Sequence, residues 1–279
     1  MAKTISNQNR RRRRRKKRGS AGVVLTILAI IVIIAAIIAA MTVFFKIRAV
    51  EVSGESRYAP GDIIASSQIE TGKNMFLFNK FACISRIFAA HPYLDEVVIR
   101  RVLPDLVEIA VTECQPIAVL HSFSKFSQKN PDSGKEPIIT EKEQYFIIDQ
   151  KGKLLEEIDK EMALGYLLIE GTSLNTPEVG KYAVFTDELK EKPLFLVLNS
   201  AKDSDILQNI GALDLSETYN ITFTYYDKYR VRIGTADQLD QKIRYMNLII
   251  NEHLSPTDTG EIDVSDTQTA RFIKGDFEN

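Results

Sequence analysis

Side chains able to do chemistry are few in this sequence, and they are not spaced for it. The three histidines are His91, His121 and His253. They fall at a helix end, a loop start and a second helix end. A zinc hydrolase needs two histidines one helical turn apart, so that both ring nitrogens reach one ion. A serine esterase needs its nucleophile on a Gly-x-Ser-x-Gly elbow, and a redox dithiol needs Cys-x-x-Cys. None of these patterns occurs, and no glycine-rich phosphate loop does either. Cys83 and Cys114 stand in apolar stretches and are too few for a disulfide framework. They read as two small buried thiols, with a single bridge between them as the alternative. Carboxylates such as Glu141, Glu143, Glu156 and Glu157 lie at polar positions and read as surface charge. No catalytic residue, metal ligand or cofactor site is therefore expected. What remains is binding, which depends on the elements that present a surface.

Residues 10–18 are nine consecutive arginines and lysines, followed by an uncharged run from Gly19 to Phe45. Residues 23–45 are almost wholly Val, Ile, Leu, Ala and Phe. At helical rise such a run spans ~35 Å, enough for a hydrocarbon core of ~30 Å. It has no polar face, which a soluble core helix of this length would show. A signal peptide would carry a shorter apolar core and a small-residue cleavage site, whereas this run ends Val43-Phe44-Phe45-Lys46. The reading is an uncleaved membrane span over 21–45. The basic tail 1–20 then stays cytoplasmic and the bulk of the chain lies outside. Residues 19–279 carry 26 basic and 37 acidic side chains, a poor balance for binding nucleic acid, so the basic block is assigned to topology and anionic lipid.

Beyond the span, residues 47–54 alternate and end on Gly54, as a strand and turn would. A short helix over 61–67 follows Tyr58-Ala59-Pro60. Phe81, Ile84, Ile87 and Phe88 give residues 79–90 an apolar helical stripe that stops at His91-Pro92. Two strands, 94–102 and 106–112, flank a hairpin turn at Leu103-Pro104-Asp105. Further on, residues 145–152 read as a strand closing on an Asp-x-x-Gly turn. Residues 194–198 belong to a helix, 222–226 and 229–234 form a hairpin, and 239–253 form an amphipathic helix before a strand at 260–264. Residues 121–144 read as a polar loop.

The stretches VEVSGESRYAPGDI (50–63), TGKNMFLFN (71–79) and HPYLDEVVIRRVLPDLVEIAVTECQPIA (91–118) together resemble the POTRA domain of the FtsQ/DivIB family of bacterial division proteins. Glu113 and Pro116 fill the family's closing Glu-x-x-Pro element, and the likeness runs over roughly 10–275. The resemblance implies an α+β fold: one N-terminal transmembrane helix, a POTRA β-α-α-β-β domain over 46–114, a β-rich domain with flanking helices over 115–275, and a short tail at 276–279. It also implies a non-enzymatic scaffold enriched at the division septum. Such a scaffold joins FtsL-like and FtsB/DivIC-like proteins outside the membrane and helps regulate a septal peptidoglycan synthase. Other classes for such a chain are a POTRA-bearing assembly or translocation factor and a membrane-tethered cell-wall enzyme.

In that family the last strands of the β domain hold the FtsB/DivIC partner. The resemblance places the site here on a C-terminal edge strand over 263–273, at Asp263, Ser265, Asp266, Gln268, Thr269, Ala270, Arg271, Phe272 and Ile273. An open edge must be blunted or used. Within the stretch, Arg271 is expected to pair with an acidic partner group and Phe272 to fill a partner pocket. The POTRA sheet edge is a second candidate, weighed against simple packing on the β domain.

Overall fold

The computed structural model describes residues 20–128 and 138–275, with side chains described over 22–123 and 142–275. The basic block 10–18, the side chain of Glu141 and the tail 276–279 lie outside the described residues. Helix α1 spans Ser20–Phe44, and its segment Gly22–Phe44 is long and apolar enough to cross a membrane. Every described side chain on it is exposed, so it has no stripe buried against protein. The chain divides into two compact units. One takes in residues 1–50, 70–78 and 101–107, and the other residues 51–69, 79–100 and 108–279.

The order after α1 is the expected β-α-α-β-β. Strand β1 is Ala49–Ser53, α2 is Pro60–Ser67, α3 is Lys80–Ala90, β2 is Leu94–Val102 and β3 is Leu106–Glu113, with sheet order β1-β3-β2. Local chemistry sets the ends. Pro60 opens α2 where a missing N–H costs nothing. The Asn79 side chain caps α3 by accepting from the N–H groups of Phe81 and Ala82. Alternation puts Val107, Ile109 and Val111 of β3 in the interior.

The remaining chain builds one nine-stranded sheet. Its elements are β4 Pro116–Gln128, β5 Ile138–Asp149, β6 Leu154–Ile158, α4 Lys160–Ala163, β7 Leu168–Thr172, α5 Glu191–Asp203, β8 Ile210–Asp214, β9 Ile221–Tyr225, β10 Tyr229–Gly234, α6 Leu239–His253, β11 Gly260–Asp263 and β12 Arg271–Lys274. The strand order is β12-β11-β10-β9-β8-β7-β4-β5-β6. Parallel neighbours need a crossover: α5 supplies it between β7 and β8, α6 between β10 and β11, and the β5–β6 hairpin with α4 between β4 and β7. Both long helices bury an apolar stripe in the main core, Leu194, Val197 and Leu198 from α5 and Ile243, Met246 and Ile249 from α6. Each such side chain contributes roughly 1.5–3 kcal/mol of burial. Ser200 Oγ donates to Asp240 Oδ1 at 2.8 Å, tying one helix to the other.

The expectation of a loop over 121–144 is overturned. Strands β4 and β5 run antiparallel in register as far as Gln128 opposite Ile138, so only 129–137 fall outside the described residues. The polar composition suggests a loop, but an antiparallel arm satisfies its backbone groups on its own and needs no buried face there.

The POTRA end of the second unit is packed rather than free. Tyr58, Tyr93 and Cys114 join Val119, Tyr145, Ile147, Leu155 and Ile158 in a second apolar cluster on β4, β5 and β6. Tyr93 Oη donates to Glu156 at 2.8 Å, and the Arg57 guanidinium lies 3.5 Å over the Tyr93 ring. Lys151 pairs with Asp95 at 2.6 Å. Both cysteines are buried and free, so the bridge between them is not made. Burial, the largest influence, pushes the Cys114 thiol up to about 12 despite the opposing charge of Lys153. A thiol held protonated and out of solvent is a poor nucleophile. We expect no labelling of the native chain by a maleimide at pH 8 and two labels per chain after denaturation, read by mass spectrometry. Fast native labelling of Cys114 would contradict this packing.

Candidate partner-binding edge

The nine-stranded sheet ends at β6 on one side and β12 on the other. The start of β6 is covered: Leu154 donates to the Lys181 carbonyl, accepts from the Gly180 N–H, and Lys153 bridges Tyr182. Strand β12 pairs only with β11 among the described residues, with Gly260 opposite Lys274, Glu261 opposite Ile273, Ile262 opposite Phe272 and Asp263 opposite Arg271. Strand β12 is therefore an open backbone edge of the sheet, as are the later residues of β6 and the distal arm of β4 and β5 among the described residues.

The expected strand over 263–273 is corrected by this geometry. Strand β11 stops at Asp263 and β12 starts at Arg271. Asp263 Oδ1 accepts from the N–H and hydroxyl of Ser265, at 3.0 and 2.6 Å. Asp266 accepts from the Gln268 N–H at 2.9 Å and the Thr269 hydroxyl at 2.8 Å. Short aspartate side chains that capture backbone N–H groups two residues on bend the chain and compete with a ladder. The bend also fits over Gly234, whose φ of +67° suits glycine and where a Cβ would come 2.9 Å from the Ser265 Cβ. Gln241 of α6 donates to the Thr267 carbonyl at 3.3 Å, holding the bend to the helix.

Nine sequence-predicted residues thus divide in two. Asp263, Ser265, Asp266 and Thr269 are engaged in shaping the bend, with Gln268 and Ala270 exposed upon it. Arg271, Phe272 and Ile273 form the strand. Phe272 turns inward: its ring meets Tyr229 edge to face at 6.4 Å and packs against the main core, so it is already occupied. Its register partner Ile262 is fully buried, and parity sends Arg271 and Ile273 to the opposite face. Ile273 is 61% exposed. Sequence reasoning missed two further contacts that fix the strand. Lys274 pairs with Asp258 at 2.6 Å, and the Thr259 hydroxyl donates to the Gly275 carbonyl at 3.0 Å. Their only local signal was an Asp-Thr-Gly turn before β11.

The histidines stand apart on separate elements. His91, at the end of α3, lies with Nε2 3.1 Å from Ser66 Oγ. His121, on β4, stacks on Tyr145 with ring centroids 4.7 Å apart and Nε2 2.8 Å from Glu143. His253 ends α6. Asp95, Cys114 and Asp149 each bring one potential metal-ligand atom within 4.8 Å of the others. Asp149 already accepts from two backbone N–H groups, Asp95 is paired with Lys151, and Cys114 is held as a thiol rather than the thiolate a metal binds. Lys153 supplies the local positive charge.

Two families of known proteins match this chain. The family described as POTRA domain, FtsQ-type, matches residues 45–113. The family described as cell division protein FtsQ/DivIB, C-terminal, matches residues 138–266.

The chain belongs to the FtsQ/DivIB family.

Cell division protein DivIB of Clostridium botulinum (strain Hall) is 29% identical over 225 residues, 80% of this chain and 79% of that one. DivIB of Clostridium acetobutylicum is 26% identical over 223 residues, 80% of each chain. Cell division protein FtsQ of Syntrophotalea carbinolica is 22% identical over 240 residues, 82% of this chain and 73% of its own. These names support a role in cell division and mention no reaction. The FtsQ/DivIB C-terminal match stops at Asp266, so β12 stands on geometry alone.

Electrostatics also hold β12 in place. Asp258 sits below the ordinary carboxylate range because Lys274 and the Ser255 N–H bond to it, and Asp266 because the Gln268 N–H and Thr269 hydroxyl do. Lys274 is correspondingly raised by Asp258. A depressed carboxylate contributes stability that is full above its unfolded value, ~3.9 for Asp, and is lost as pH falls through the lower folded value. A raised lysine contributes below ~10.4 and loses this as pH rises through its higher folded value. The clamps are therefore complete between about pH 4 and 10. We expect amide exchange at 271–274, corrected for intrinsic rate, to speed up on acidification below about pH 4 before that of β9 and β10 does. Simultaneous loss of protection would show that the clamps do nothing local.

Proposed function

We propose that this chain is a bitopic scaffold of the division machinery. The basic tail would hold the N-terminus in the cytoplasm, α1 would span the membrane, and the folded units would work outside at the septum. The partner would be a division protein of the FtsB/DivIC kind, in company with an FtsL-like protein and in reach of a septal peptidoglycan synthase. One observation supports this reading above the others: the β12 edge is open, with Ile273 and Arg271 exposed beside unpaired backbone.

A partner strand laid on β12 would gain main-chain hydrogen bonds for affinity and side-chain contacts for specificity. On this reading Ile273 replaces Phe272 as the apolar contact, and Arg271 offers charge to an acidic group.

The test is binding of the host's own FtsB/DivIC-like protein, measured by interferometry on detergent-solubilised full-length chain. Truncation after Asp263 removes β12 and should weaken binding at least 100-fold. Ile273→Asp should weaken it about 10-fold, equivalent to ~1.4 kcal/mol, with an unchanged circular dichroism spectrum. Undiminished binding by both variants would move the partner to another surface.

A further inference from the structure

The first compact unit ties α1 to two loops without a slack linker. The Asn74 side-chain amide donates to the Met41 carbonyl inside α1 at 2.9 Å. The Met75 N–H donates to the Phe45 carbonyl at 3.0 Å, and Ile47 exchanges hydrogen bonds with Lys73 and Gly72 at 2.9 and 2.7 Å. The Arg48 N–H donates to the Asp105 carbonyl at 2.7 Å, and its guanidinium pairs with the same residue at 3.2 Å. The rings of Phe45 and Phe76 meet edge to face at 5.3 Å. The turn at 72–77 and the hairpin tip at 102–105 are thereby fixed at the level of the last turns of the helix.

These loops point apolar side chains outward. Leu77 is 81% exposed and Leu103 59%, with Phe76 and Val102 exposed beside them. A crevice of about 600 Å³ is lined by Ile37, Met41, Phe44 and Phe45 on one side and Pro104 and Asp105 on the other. Ile37 lies about 10 Å before Phe44 at helical rise, so the tip runs alongside the apolar helix rather than beyond its end. Cations fringe the same surface. Lys46 is exposed, and the Arg101 guanidinium lies 4.8 Å over the Phe78 ring while its Nε donates to the Met75 carbonyl at 2.6 Å. Singly exposed apolar residues are ordinary on a protein surface. These differ in flanking residues, Asn74, Met75 and Asp105, that hydrogen-bond to the end of an apolar helix and the residues directly after it.

We propose that the turn at 75–77 and the tip at 102–104 lie within the membrane interface, in the leaflet at the Phe44 end of α1. Phe76, Leu77 and Leu103 enter the boundary between acyl chains and headgroups, while Lys46 and Arg101 meet lipid phosphates. This is the arrangement expected of apolar side chains fringed by cations at that depth. The proposal rests on α1 being a membrane span.

The chain has no tryptophan, so a single one introduced reports alone. Full-length Leu77→Trp and Leu103→Trp are reconstituted in vesicles of phosphatidylethanolamine and phosphatidylglycerol. Leu28→Trp in α1 serves as the lipid reference and Leu248→Trp on the exposed face of α6 as the aqueous one. Quenching by acyl-brominated lipid at 77 and 103 should reach at least half of that at 28, and acrylamide quenching there should be several-fold below that at 248. Acrylamide quenching at 77 and 103 equal to that at 248, with 28 still quenched by lipid, would overturn the interfacial placement and leave the span intact. No lipid quenching at 28 would overturn the span and the placement together.

Discussion

Where the POTRA segment meets the large sheet, the second unit depends on a buried cation. Lys153 sits just after the β5–β6 turn with its side chain almost wholly out of water, and burial holds its pKa below the ordinary lysine value. An ammonium in that position is costly unless its donors and charge are met. Here Nζ donates to the Leu94 carbonyl at 2.6 Å and lies 5.0 Å over the Phe88 ring. Asp149 shapes the turn itself, its Oδ1 accepting from the N–H groups of Lys151 and Lys153 at 2.8 Å. The turn closes on Gly152, at φ +82°, where a Cβ would strike the Phe195 ring of α5 at 2.4 Å. One lysine thus ties α3 and the start of β2 to the β5–β6 hairpin of the large sheet, and one glycine lets a crossover helix lie against that hairpin.

That arrangement explains why the POTRA segment contributes residues to the core of its neighbour. Tyr58, Tyr93 and Cys114 gain burial only because β4, β5 and β6 present Val119, Tyr145 and Leu155 to them. Tyr93 is held protonated, its hydroxyl pushed up to about 12 by burial and by its bond to Glu156. The chemistry-bearing residues are consumed by structure: carboxylates shape turns, lysines satisfy carbonyls, and thiols fill space.

Much of this was legible in the residues. The stripe Leu239, Ile243, Met246 and Ile249 predicted α6 with its observed ends, and Asn79 and His91-Pro92 bracketed α3. What escaped the sequence depended on pairing. The strands over 121–144 were hidden because serine and lysine suggest solvent, while an antiparallel arm asks only for a partner at the right register. The direction of Phe272 was hidden because it is set by Ile262 across the ladder, not by its own neighbours. The bend at 264–270 was written in Asp263 and Asp266, but two aspartates among polar residues do not announce that both will capture backbone N–H groups.

The brevity of β12 has a consequence for timing. Four residues at ~3.4 Å each give a seam of ~14 Å, and alternate residues turn their backbone groups outward, so an added strand finds about four hydrogen bonds. At about 1 kcal/mol net apiece, that is close to a millimolar dissociation constant before any ordering cost. Such a seam by itself would form and part quickly. A partner strand held there for long would need side chains such as Ile273, or several weak contacts made at once.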